Sequence, residues 1–174
     1  LVIYTAQMSW QDIWEAITRS RVMASYRISF LTALAASAIN AVMGVILAWV
    51  LVRYKFPFKR ILDGMIELPF ALPTAVAGIA LTSLTADTGI IGGFFSKLGI
   101  SIAYTPIGIT AALVFIGIPF VVRAVQPVLE KLDPVYEEAA GVMGASRVRI
   151  FWRIIFPEIL PAVLTGFGLA FGRC

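Results

Sequence analysis

Long runs of apolar residues alternate with short polar segments along the 174-residue chain. No charged residue occurs in residues 28–52, 68–86 or 98–122. A bilayer core about 30 Å thick needs a helix of roughly 20 apolar residues to cross it. Two of the runs exceed that length and the third nearly meets it. The pattern therefore predicts membrane-spanning helices. The alternative is three buried helices of a soluble core, which is disfavoured because such a core needs amphipathic helices to cover it.

Residues 9–27 have a different pattern, typical of an amphipathic helix. Apolar residues recur at helical spacing from Trp10 to Ile17, and Ser9 with Asp12 resembles a capping box. Tryptophans on one face and charges on the other are typical of a helix at a membrane surface. An ordinary packing helix is an equal alternative. Residues 1–27 are thus expected to form an amphipathic segment and linker on the periplasmic side.

The basic residues are concentrated between the apolar runs and predict an orientation. Residues 53–60, RYKFPFKR, carry four basic residues and no acid, and residues 123–156 carry five basic residues. Short basic segments remain on the cytoplasmic side of a membrane. Residues 85–105 carry one acid and one base and are expected on the outer side. Three arginines ahead of the first span count against this orientation: Arg19, Arg21 and Arg27.

The second span, from about residue 61 to residue 84, contains LPFALPTAVAG with Pro69 and Pro73 four residues apart. Each proline removes a backbone donor and clashes with the preceding turn, so this span is predicted to be kinked or locally unwound. Irregular backbone is tolerated at membrane depth only beside protein or a water-filled cavity. In the first span Asn40 is expected to face a polar path or to join two helices by a hydrogen bond.

Composition narrows the class of function. Of the residues, 60% are hydrophobic, against about 45–50% in soluble domains, and none is histidine. The single cysteine is Cys174, and no phosphate-binding loop occurs. The chain is therefore predicted not to be an enzyme and to have neither a catalytic residue nor a metal site. It is also predicted to bind neither a cofactor nor nucleic acid. An intramembrane enzyme and a channel without an ATPase are the rival classes.

The polar stretch EEAAGVMGASRVRIFWRIIFP, residues 137–157, carries the most specific signal. Asp133 and Ser146 are suited to cap helices, and Gly144 is suited to end one. The stretch predicts a short helix, a glycine break and a second helix beneath the membrane. A thin apolar stripe with acids beside it is a surface that another protein can bind.

This stretch resembles the EAA loop of binding-protein-dependent ABC importer permeases. The matching positions are Glu138, Ala139, Ala140, Gly144, Ile154 and Pro157, and Phe156 stands where the family usually has leucine. The resemblance implies that the loop, at about residues 124–156, is the coupling helix that docks into a groove on an ATPase subunit. The residues expected to couple to the ATPase are Glu137, Glu138, Ala139, Ala140, Gly144 and Pro157.

Residues 40–84 and 103–133 resemble sulfate/thiosulfate permeases, their T-type subunit in particular, with molybdate permeases as the nearest relatives. The resemblance implies an all-α, polytopic transmembrane bundle of the type I ABC importer permease (MetI-like) kind, with residues 28–174 as the transmembrane domain. It implies ATP-driven import of sulfate or thiosulfate across the bacterial inner membrane, with molybdate, tungstate or another oxyanion as the alternative.

The same resemblance implies partners. These are two ATPase subunits that hold ATP and magnesium, a second and homologous permease subunit in a heterodimer, a periplasmic sulfate-binding protein and membrane lipid. The translocation path is predicted at Asn40, Pro69, Pro73, Thr74 and Gly78, with a purely structural kink as the alternative for the proline segment. The last apolar run, residues 159–172, is predicted to be too short to span alone. The chain is therefore expected to be a fragment, incomplete at both ends.

Overall fold

The computed structural model describes residues 10–174, and every regular element in that range is helical. In chain order the elements are α1 (Trp10–Thr18), α2 (Ser20–Arg53), α3 (Lys59–Ala71), α4 (Thr74–Thr85), α5 (Ile90–Ser96), α6 (Pro106–Lys131), α7 (Val135–Val142), α8 (Arg147–Ile150), a π-helical turn (Phe151–Ile155) and α9 (Phe156–Arg173). The predicted all-α class is confirmed.

Four helical segments of the described chain are long and apolar enough to cross a membrane. They are Ser20–Arg53, Ala75–Ser96, Pro106–Lys131 and Arg147–Arg173. The first and third contain the apolar runs of residues 28–52 and 98–122 in whole or in large part. The second combines α4 and α5, so the segment after residue 85, predicted as a connection only, also contains helix.

The prediction that the last apolar run is too short to span is wrong. Helix α8 continues through the π-helical turn into α9, which gives 27 helical residues from Arg147 to Arg173. A π-helical turn has a wider ring than an α-helix. It lies directly ahead of Pro157, whose missing N–H and ring would disturb a regular helix at that point. The proline that marked a boundary in the sequence therefore lies inside a continuous helix.

The predicted single helix over residues 9–27 is also wrong, because it is divided at Arg19. Helix α1 ends at Thr18, and Arg19 has an extended ψ of 133° before α2 begins at Ser20. Trp10 and Trp14 of α1 are exposed, which favours the membrane-surface interpretation over the packing one. The predicted capping box of this helix lies outside the described residues and side chains.

The predicted break in the proline segment is confirmed. Helix α3 ends at Ala71 and α4 begins at Thr74. Between them Leu72 has φ −87° and ψ 132°. This extended conformation is the one that a following proline imposes, since the ring of Pro73 clashes with a helical preceding residue. Pro69 lies inside α3.

The core of the described chain lies where α2, α6 and α9 cross. Small residues let the backbones approach closely: a methyl group added at Gly44 would lie 2.6 Å from the side chain of Val121, and one at Gly166 would lie 2.7 Å from the Cα of Val121. Helix association in membranes depends on such close packing, because lipid and side chains are equally apolar. The largest fully buried apolar side chains are Leu51, Leu129, Ile155, Ile159, Val121, Val122 and Val125.

We predict that Gly166→Ala destabilises the folded protein, whereas Gly168→Ala on the same helix does not. The first substitution forces a methyl group against the α6 backbone, and overpacking of this kind costs about 1–3 kcal/mol. The second meets no atom within 4 Å, and alanine in place of helical glycine is neutral or stabilises by up to about 1 kcal/mol. The thermal midpoint of the detergent-solubilised full-length protein is the measurement. Equal midpoints for the two variants would contradict the packing described.

Candidate functional site

The candidate site is built on α7 and the turns that flank it. The carboxylate of Asp133 accepts a hydrogen bond from the N–H of Val135 at 3.0 Å, so the first turn of α7 is capped as the sequence predicts. Glu137 and Glu138 follow in that first turn. Acidic side chains are favourable there, because the N-terminal end of a helix carries partial positive charge.

Gly144 ends α7 in the manner its position in the sequence predicts. Its φ is +82°, a left-handed conformation that costs a residue with a Cβ about 1–2 kcal/mol. The N–H of Gly144 donates to the carbonyl of Gly141, and the N–H of Ala145 donates to that of Ala140, each at 3.0 Å. These two bonds form a Schellman motif, which satisfies the last carbonyls of the helix.

The second half of the loop begins at Ser146. Its hydroxyl oxygen accepts from the N–H of Arg149 at 3.4 Å and caps α8, which leads through the π-helical turn into the last span. The predicted succession of short helix, glycine break and second helix is thus confirmed. Pro157 lies in the first turn of α9, on the membrane side of the loop.

An exposed stripe runs along one face of α7. It consists of Val135, the pair Glu138 and Ala139, and the pair Val142 and Met143, which recur at intervals of three or four residues along α7 and its C-cap and are all exposed. Val142 is 90% exposed and Met143 82% exposed. On the opposite side Ala140 is buried against the core. Large apolar side chains exposed in such a cluster are typical of a surface that binds another protein.

The two adjacent glutamates have different environments. Glu138 is exposed, whereas the side chain of Glu137 is 23% exposed and pairs with Arg53, the last residue of α2, at 2.5 Å. This contact is the one that sequence reasoning missed. In the sequence, Arg53 contributes only to the basic charge of residues 53–60. Its partner Glu137 lies 84 positions further along the chain. No local pattern indicates a partner at that distance.

A second ionic cluster joins α3 to α6. Arg123 contacts Asp63 at 3.1 Å and Glu67 at 2.5 Å, and it also donates to the side-chain oxygen of Gln126 at 2.8 Å. Together with the pairing of Arg53 and Glu137, this cluster places the two basic segments, residues 53–60 and 123–156, at one end of the bundle. The sequence predicted that both would lie on the same side of the membrane.

A cavity of about 770 Å³ lies between the end of α2 and the loop. It is lined by polar residues as well as apolar ones, among them Arg53, Glu137, Glu138, Arg147 and Trp49. Glu138 belongs both to this lining and to the exposed stripe of α7. The space next to the loop is therefore lined by charged and apolar side chains together.

The residues predicted for a translocation path fall into two places. Asn40 is fully buried in the core, against Gly117 of α6, and within the described part of the chain neither of its amide atoms has a hydrogen-bond partner. Pro69, Pro73 and Gly78 lie on or beside α3 and α4. Thr74 begins α4, and its side chain lies outside those described.

Gly78 lines a groove of about 660 Å³ along α4, on the C-terminal side of the proline break. Hydroxyl groups from Thr82, Ser83, Thr88 and Tyr104 also line it. The groove is separate from the buried position of Asn40. The structure thus brings Gly78 to a polar surface and does not bring Asn40 to the same one. The translocation path itself stays a prediction.

Residues 40–174 match the family described as the binding-protein-dependent transport system inner membrane component. The Sulfate transport system permease protein CysT of Escherichia coli (strain K12) is 49% identical over 99% of this chain and 62% of its own length. The protein of that name in Synechocystis sp. is 47% identical over 99% and 60%. The Probable sulfate transport system permease protein cysT of Marchantia polymorpha is 46% identical over the same shares. The chain thus spans about three-fifths of the length of these curated relatives.

We predict that Gly144→Ala loosens α7, whereas Gly141→Ala does not. Alanine at position 144 must adopt φ +82° at a cost of about 1–2 kcal/mol, which corresponds to roughly tenfold faster exchange by local opening. Position 141 is helical and open, so alanine is tolerated there. Amide hydrogen exchange over residues 138–145 of the full-length protein is the measurement. Unchanged exchange in Gly144→Ala would show that the left-handed turn does not hold the loop.

Proposed function

The chain belongs to the family of binding-protein-dependent transport system inner membrane components, and we propose that it forms part of the permease subunit of an ATP-driven importer of sulfate or thiosulfate. The membership confirms the resemblance that the EAA loop indicates. It also means that the chain is a component of a transport system in the inner membrane, in a family of permease subunits rather than enzymes. The substrate, the coupling to ATP and the partners are the proposal.

The observation that supports sulfate as the substrate is the extent of the sequence identity to sulfate permeases. Relatives named sulfate transport system permease proteins are 46–49% identical to this chain over 99% of its length. The likeness includes the proline segment and the polar loop. These two segments differ most in sequence from a simple apolar membrane-spanning helix. It supports sulfate ahead of molybdate or tungstate, which become outcomes of the test.

The physical chemistry of sulfate requires a driven process. Moving one charge across the membrane potential costs about 2.3 kcal/mol per 100 mV, so a dianion entering a negative interior costs about 4.6 kcal/mol per 100 mV. A passive pore would lose sulfate from the cell. The sequence contains no phosphate-binding loop of its own. We therefore assign the drive to two partner ATPase subunits, which hold ATP and magnesium.

In this proposal the exposed stripe of α7 is the surface that meets the ATPase. Its apolar side chains Val142 and Met143 are exposed although they are large, and Glu138 lies beside them. A protein interface buries a central apolar patch with charged residues around it. Gly144 fixes the length and exit direction of α7, and Pro157 marks where the loop returns to the last span.

The path for the anion is proposed at the break between α3 and α4. Helix α4 begins there, and the first N–H groups of a helix have no partner within it. Together with the groove at Gly78 they offer weak donors and no strong cation. Weak binding is favourable in a path, because tight binding slows release. Selectivity is then assigned chiefly to a periplasmic sulfate-binding protein, and a second, homologous permease subunit completes the path.

We predict that Glu138→Gln lowers sulfate uptake at least about tenfold, because truncating a charge that pairs across a docked interface costs about 2 kcal/mol or more. Glu130→Gln, which changes an exposed acid at the end of α6, should leave uptake near wild type. The measurement is uptake of labelled sulfate into cells that express the full-length parent with its ATPase, companion permease and binding protein.

Full uptake by Glu138→Gln would contradict the role of the stripe. Uptake of molybdate but not sulfate by the wild type would keep the transporter class and refute the substrate. Uptake that persists without the ATPase would refute the driven mechanism and support a channel.

A further inference from the structure

The guanidinium group of Arg53 joins the ends of three helices. Its Nη2 atom donates to Oε1 of Glu137 in α7 at 2.5 Å and to the backbone carbonyl of Leu132 at 3.1 Å. Leu132 is the residue that terminates α6. Arg53 itself is the last residue of α2. One side chain thus contacts the end of α2, the end of α6 and the start of α7.

The geometry restricts Arg53 more than an exposed ion pair would. Its side chain is 16% exposed, and its guanidinium carbon lies 5.9 Å from the centre of the Trp49 ring, one turn earlier in α2. Exposed ion pairs contribute little, because water screens them and both side chains lose entropy. A half-buried, charge-assisted bond held by an aromatic ring is stronger and more directional.

Helix geometry gives the two adjacent glutamates of α7 different environments. Consecutive residues of an α-helix point about 100° apart, since 3.6 residues make one turn. Glu137 therefore pairs with Arg53, whereas Glu138 is exposed and makes no ion pair within the described part of the chain. The acid at position 138 is free to meet a partner, and the acid at 137 is already engaged inside the chain.

Few other contacts hold α7 to the bundle. Ala140 is the buried residue of α7, and an alanine side chain covers little area. The covalent link to α6 passes through residues 132–134, where Leu132 is extended. Without Arg53, a force on α7 would reach the bundle through Ala140 and through its two covalent links, residues 132–134 to α6 and residues 143–146 to α8.

We propose that Arg53 is a positioning residue that transmits displacement of α7 to the three-helix core. It does so by holding Glu137 and the carbonyl of Leu132 together. The proposal rests on the proposed function, since it concerns the same coupling loop. A pull on the exposed stripe is passed through Glu137 and Arg53 to α2, and through the carbonyl of Leu132 to α6. These two helices pack closely against each other at Gly44 and Val121.

The test compares Arg53→Gln and Glu137→Ala with Arg60→Gln in the full importer, reconstituted in proteoliposomes. Arg60 belongs to the same basic segment, is exposed and has no ion pair in the described part of the chain. It therefore controls for the lost charge. The readouts are the amount of ATPase bound to the permease and the number of ATP molecules hydrolysed per sulfate imported.

We expect Arg53→Gln to bind the ATPase as the wild type does, because Arg53 is not among the residues predicted to meet the ATPase, and Glu137→Ala breaks the same pair from its other side. Their ratio of ATP hydrolysed to sulfate imported should rise at least about fivefold, because a charge-assisted bond in the force path is lost. Arg60→Gln should keep the wild-type ratio. Arg53→Lys keeps the charge without the planar fork and should restore part of the coupling. A purely structural role would lower the amount of complex and leave the ratio of the remaining complex unchanged.

A second readout is independent of transport. Amide hydrogen exchange of residues 138–142 should be faster in Arg53→Gln than in Arg60→Gln, since α7 loses its tie to α2. Wild-type ratios in Arg53→Gln and Glu137→Ala would overturn the proposal, as would loss of the permease from the membrane in all three variants at Arg53 and Glu137. Import of molybdate in place of sulfate would refute the proposed substrate alone, and the ratio measured with molybdate would still test Arg53.

Discussion

The close crossing of α2, α6 and α9 is the constraint on which the rest of the described structure depends. In a bilayer the lipid is as apolar as the side chains, so helices associate only where their surfaces fit closely. Gly44 and Gly166 approach Val121 from two sides and leave no space for a methyl group. This contact fixes the relative height of the three helices. It thereby fixes the positions of the end of α2 at Arg53 and the end of α6 at Lys131, between which α7 lies.

The charged residues at this end of the bundle are organised by the same crossing. Arg53 is the last residue of α2, and Arg123 lies about two turns before the end of α6. Each pairs with acids on a peripheral element: Glu137 on α7, and Asp63 and Glu67 on α3. The core helices supply the cations and the peripheral helices supply the anions. Such pairs are directional when they are partly shielded from water. They therefore hold the peripheral helices in position through a few polar contacts rather than through an extensive apolar interface.

The sequence predicted those features that depend on local chemistry. The break at Pro73 follows from the conformation that a proline imposes on its predecessor, and the turn at Gly144 follows from the freedom of glycine at positive φ. The last span was missed because a π-helical turn ahead of Pro157 extends a helix that local rules would end. The pairing of Arg53 with Glu137 was missed because its partners are 84 positions apart and depend on how the core helices cross. The role of the predicted path residues stays a prediction for the same reason. The sequence shows that Asn40 is a polar residue in an apolar span, but its position in the core depends on packing against Gly117.

Helix α7 is attached to the core on one face and exposed on the other, where a partner protein can bind. A helix of eight residues is too short to be stable alone, so its conformation depends on its caps and contacts. Asp133 and Gly144 supply the caps, and both are independent of any partner. Among the described residues, the inner face has one strong polar contact, Glu137 with Arg53, while the outer face keeps Val142, Met143 and Glu138 exposed. Binding a partner to the outer face therefore need not disturb the caps or the inner contact. In the proposed coupling, the helix is displaced as a preformed unit, and the displacement reaches α2 through Arg53 and α6 through the carbonyl of Leu132.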